Sequence, residues 1–77
     1  MAISAFILIH VSGDHTKSVL KTMTRMEGVK SVYSVTGAHD IITQTEAENI
    51  HGLSELIYRL RSIDGVIKTE TSIVLDI

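Results

Sequence analysis

The stretch Met26-Glu27-Gly28-Val29 returns as Ile63-Asp64-Gly65-Val66, with Gly65 standing 37 positions after Gly28. Each copy holds an apolar residue that closes a helical stripe, an acid, a glycine suited to a left-handed helix cap, and a valine that opens a β-rich run. At the same offset Val19 meets Leu56, Leu20 meets Ile57, and Met23 meets Leu60. The chain therefore holds two helix–glycine–strand units of one design. What precedes each helix completes the pattern.

Before the first helix, residues 2–11 (AISAFILIHV) form a strand by length and aliphatic content. One face carries Ile3, Ala5, Ile7, Ile9 and Val11, the other Ser4, Phe6, Leu8 and His10. Both faces are apolar at the centre, so Phe6 and Leu8 need cover that two short helices cannot supply; a second copy of the sheet is the economical answer. Ser12 or Asp14 is expected to cap the first helix. Val19, Leu20, Met23 and Met26 form its buried stripe, with the methionines as core filler, and Lys17, Lys21, Thr24 and Arg25 lie opposite. Val29–Thr36 is a second strand, Asp40–Thr45 a third, and Val66–Ile77 a fourth. Ile50, Leu53, Leu56, Ile57, Leu60 and Ile63 stripe the second helix, whose outside carries the Glu55–Arg59 pair. Gly52 is a poor helix former there and suggests a close approach or a ragged start.

Each half is strand–helix–strand, and the order βαββαβ with right-handed crossovers gives an α+β, ferredoxin-like sandwich. It has a four-stranded antiparallel sheet with two helices on one face, and is dimeric through the bare faces of the sheets. Residues 1–77 make one domain, too small for a large core. With no cysteine there is neither disulfide nor thiolate chemistry, so association is the expected source of extra stability. A net charge of −2 and a single Lys17/Lys21/Arg25 face give no basic stripe for nucleic acid. No run reaches membrane-spanning length, and residues 2–9 lack the basic lead and cleavage site of a signal peptide. The chain reads as soluble and cytoplasmic.

The middle of the chain, Val35-Thr36-Gly37-Ala38-His39-Asp40-Ile41, is a turn between two strands. Gly37 reaches positive φ freely, and Asp40 can bond turn amides or face a cation. Read alone, the turn is either a hairpin with a stabilising aspartate or a place where a ligand meets backbone. Thr69 and Thr71 share a strand face with Ile67, Ile73 and Leu75, as β-formers or as hydroxyls for a small polar ligand. His10, His15, His39 and His51 show neither HxH nor HxxxH spacing, which gives no metal site; His10 and His15 are the pair most able to converge. No nucleophile–base pair and no glycine-rich phosphate loop appears, so no enzyme and no cofactor is expected.

Three segments, Gly28-Val29-Lys30-Ser31-Val32-Tyr33, Val35–Ile41 and Gly65–Leu75, together closely resemble the C-terminal effector (RAM) domain of the Lrp/AsnC regulators. The resemblance covers essentially the whole chain. It implies a βαββαβ dimer formed through the sheets, assembly into larger rings, commonly octamers, and amino-acid effectors bound between dimers. It places the ligand's charged groups on the turn Gly37, Ala38, His39 and Asp40, with Thr69 and Thr71 on the fourth strand and Tyr58 on the second helix. Full-length relatives carry an N-terminal helix-turn-helix, and the chain begins directly on strand 1. A stand-alone effector domain without direct DNA contact is therefore expected, acting by assembly or co-assembly with full-length regulators. His39 replaces an aromatic residue of many relatives. The alternatives are a structural oligomerisation module without ligand and an ACT-like regulatory domain.

Overall fold

The computed structural model describes residues 2–77. In chain order the elements are β1 (Ile3–Val11), a tight single turn at Gly13–His15, α1 (Thr16–Thr24), β2 (Val29–Ser34), β3 (Ile41–Ala47), α2 (Ile50–Arg61) and β4 (Val66–Ile73). The four strands form one antiparallel sheet in the order β2-β3-β1-β4, the ferredoxin-like arrangement expected from the repeat.

Alternation along β1 decides which way the sheet faces. Ala5, Ile7, Ile9 and Val11 are buried, and the last three cluster with Val19 and Met23 of α1, Leu56 and Leu60 of α2, and Ile41 of β3. Phe6, Leu8 and His10 lie on the opposite face, where Phe6 remains 41% exposed. The register adds Ile42, Tyr33, Glu70 and Ser72 to that open face, because they pair with Leu8, Ile42, Leu8 and Phe6 respectively. Apolar side chains without cover on one sheet face, beside a sealed core on the other, are the two-sided strand read from the sequence.

The core is not purely aliphatic. Thr43 and Thr45 of β3 are completely buried. Each hydroxyl donates to a neighbouring strand's carbonyl: Thr43 to Ser31 at 2.7 Å and Thr45 to Ala5 at 2.9 Å. Burial without such partners would cost 1–3 kcal/mol or so per group.

Helix ends follow different rules in the two halves. Asn49 caps α2, its Oδ1 accepting from the Gly52 amide at 2.8 Å, which gives the early glycine a local partner. Neither Ser12 nor Asp14 caps α1 with its side chain; the tight turn at Gly13–His15 leads into the helix instead. That turn is tied across the molecule, since the Ser12 amide donates to the Gly65 carbonyl at 2.8 Å. Gly65, at φ 100°, lies directly against the His15 side chain, and a Cβ there would collide with it. The strands also end differently from expectation. β2 stops at Ser34, opposite Ile41 at the start of β3, and β4 stops at Ile73, opposite Ala5 of β1. Residues 74–77 continue past the sheet, held by one bond from the Val74 amide to the Ser4 carbonyl at 2.9 Å.

Candidate functional site

The β2–β3 turn crosses the end of the sheet and is fastened there by Asp40. Its amide donates to the Ile9 carbonyl and its own carbonyl accepts from Val35, both at 3.0 Å. Its carboxylate Oδ2 accepts from the Val11 amide at 2.9 Å. Of the two roles open to this aspartate in the sequence, the structure gives it a backbone partner, and that partner lies on β1 rather than within the turn. A charge-assisted bond to a fixed amide makes the turn a rigid shelf over the end of β1.

Gly37 takes φ 106°, so the chain reverses without a Cβ penalty. Among the described residues no backbone bond engages the amides of Gly37, Ala38 and His39. Successive free amides in a turn form a concave donor surface suited to an anionic group such as a carboxylate.

His39 reaches back over β1. Its Nε2 lies 2.7 Å from Glu70 Oε1 on β4, and its ring packs against His10 at a tilt of 42°, with centroids 4.7 Å apart. The His39 side chain is only 20% exposed. The hydrogen bond from His39, reinforced by its charge and more weakly by Lys68 and His10, holds the Glu70 carboxyl below its usual range. Chain spacing hid this cluster. His10 and His39 are brought together by the β1–β3 pairing, while His15 goes elsewhere, to Asp64 at 3.7 Å. The signal in the sequence was register: His10 follows Ile9, which pairs with Ile41 two residues after His39.

The remaining expected residues are dispersed. Thr69 and Thr71 pair with Ile9 and Ile7, which puts them on the helix-covered face at the β4 edge, Thr69 half-buried and Thr71 exposed. A register shift after His10 leaves Ile67 out of the ladder and 69% exposed, so it does not continue their face. Leu75 lies beyond β4 and is also exposed. Tyr58 is 72% exposed on α2 and lines a shallow hollow with His51, Ser54, Glu55 and Arg59, none of them from the turn. Within one chain, then, the turn gathers His39 and Asp40 with His10 and Glu70, but not the threonines or the tyrosine.

No helix among the described residues is long and apolar enough to cross a membrane. The Lrp/AsnC ligand binding domain pattern matches residues 4–77. The HTH-type transcriptional regulator LysM of Sulfurisphaera tokodaii is 37% identical over 60 residues, 78% of this chain and 43% of that regulator. Homocitrate synthase of the same organism is 34% identical over 64 residues, 83% of this chain and 14% of the enzyme. The solved structure of E. coli AsnC is 30% identical with a TM-score of 0.89, covering 96% of this chain and 51% of that one. The chain thus spans about half or less of the length of each. With the pattern matched almost end to end and the same fold in AsnC, the chain belongs to the Lrp/AsnC ligand-binding domain family.

Proposed function

We propose that this domain is a non-enzymatic sensor of an amino-acid effector, bound at the Gly37–Asp40 turn and coupled to assembly. One observation carries the reading: three free amides at Gly37, Ala38 and His39, on a turn clamped to β1 by Asp40. An amino acid's carboxylate is a matching acceptor, and a rigid donor set lowers the ordering cost of binding it. The dispersed residues suit a site completed by another subunit: Thr69, Thr71 and Tyr58 are at least partly exposed and available to a neighbour's ligand. The open sheet face, with Phe6 and Tyr33 uncovered, supports dimerisation through the sheets. Rings of dimers, octamers among them, and co-assembly with full-length regulators would then carry the signal to transcription.

Calorimetric titration with the twenty amino acids tests the reading. One or a few should bind with measurable heat, and Asp40→Ala should weaken that binding while leaving the oligomer intact. No heat at millimolar concentration would leave a structural oligomerisation module. A second reading has its own support in the homocitrate synthase similarity: a domain of this family can be joined to a biosynthetic enzyme and act in the ACT-like manner on it. Effector-dependent changes in the activity of such an enzyme, rather than in DNA occupancy by a regulator, would favour it.

A further inference from the structure

We infer that His10, His39 and Glu70 bind one divalent transition-metal ion, zinc by preference, on the open face of the sheet beside the turn. Their ligating atoms lie within 4.8 Å of one another. Each comes from a different element: His10 from β1, His39 from the turn, Glu70 from β4. The two strands are paired, with His10 opposite Lys68 and Leu8 opposite Glu70, and the turn is pinned by Asp40 to Ile9 and Val11. The donors are therefore brought together by the sheet itself. Two imidazoles and a carboxylate are a borderline donor set, and three protein ligands with one position left over describe an open zinc site.

The short His39–Glu70 bond fits this reading. Tetrahedral zinc holds its donors ~3.4 Å apart, set by bonds of about 2.0–2.2 Å. The 2.7 Å separation is what remains when a proton on His39 Nε2, rather than an ion, joins the two groups. Opening it takes a rotation of Glu70, whose side chain is half exposed to solvent. Metal and proton compete for one position, so the ion must displace the proton from His39 Nε2. Of the other charged groups on this face, Lys68 pairs with His10 and opposes binding as a cation, while Glu46, opposite Ser4 at the far end of β1, is paired with Lys30; the Asp40 carboxylate is engaged by the Val11 amide.

Two other histidine–acid pairs provide internal controls. His15 with Asp64 and His51 with Glu55, the latter at 3.1 Å, each bring only two donors. Two donors without a third make a much weaker site.

The test is equilibrium dialysis of the metal-free full chain against zinc, followed by metal counting, with cobalt(II) absorption reporting the geometry. One ion per chain is expected, with proton release on binding and tetrahedral cobalt bands. His39→Ala and Glu70→Gln should each weaken binding by about tenfold or more, and His51→Ala should leave it unchanged. If the His39 variant fails to fold by circular dichroism, the half-exposed, conservative Glu70→Gln change decides the matter. No stoichiometric ion, or undiminished binding in Glu70→Gln, overturns the inference, as does loss of binding in His51→Ala. Amino-acid calorimetry on the metal-free chain reads the effector site separately, so either reading can fail alone.

Discussion

Asp40 fastens the turn proposed as the effector site, and its structural share can be read by substitution. Its carboxylate bond to the half-buried Val11 amide is charge-assisted, and Asp40→Ala should cost roughly 1.5–3 kcal/mol in chemical denaturation. Asp40→Asn keeps an acceptor and should recover part of that. Glu70 brings a pH dependence of known sign. Its folded carboxyl titrates below the ordinary 4.5, so the stability it contributes is present above that value and is lost as pH falls through the lowered folded one. The carboxyl resonance of Glu70 should titrate below 4.5 in the wild type and move up in His39→Ala. At this scale the sequence was only partly legible. The turn, its glycine and its aspartate stood out, because turn chemistry is local. The partners Val11, His10 and Glu70 did not, because they come from sheet pairing between segments about thirty residues away.

Among the elements, the repeat proved informative where both halves obey the same physics. Val19 and Leu56, and Met23 and Leu60, occupy equivalent buried places under the sheet. Leu60→Ala should cost about 2–5 kcal/mol, read as a shift of the denaturation midpoint at constant slope. Where the halves differ, the reason is a contact specific to one of them. Gly65 lies against His15, so Gly65→Ala combines a positive-φ penalty with a steric clash. It should destabilise by more than the ~1 kcal/mol that a strained backbone alone costs. The double mutant with His15→Gly, which removes the Cβ as well as the ring, should recover the steric part, a coupling measurable as a double-mutant cycle. Strand ends were the least legible feature, since where β2 and β4 stop depends on their pairing with β3 and β1, which no local preference records.

For the whole molecule, the open sheet face is the property with the widest reach. Phe6, Leu8, Ile42 and Tyr33 present an uncovered apolar surface on a small domain. If that face pairs with a second copy, the mass in solution should be at least twice that of the 8.5 kDa chain. Phe6→Glu should then shift the equilibrium to monomer without unfolding the helix-covered core. A monomer in the wild type, with and without amino acids, would remove the basis for ring assembly.

The strand order also governs how the molecule comes into being. β1 is central, yet both of its partners, β3 and β4, are far downstream in the chain. The β2–β3 hairpin can close early and locally, whereas β1 must wait for long loops to form around it. During synthesis the apolar run Ile3–Val11 emerges before either of its partners and receives its second neighbour only when β4 leaves the ribosome. Substitutions in the hairpin should therefore slow folding more than equal losses in β4, which should chiefly speed unfolding. The strand that organises the finished sheet is the one that spends longest unprotected while the sheet is being made.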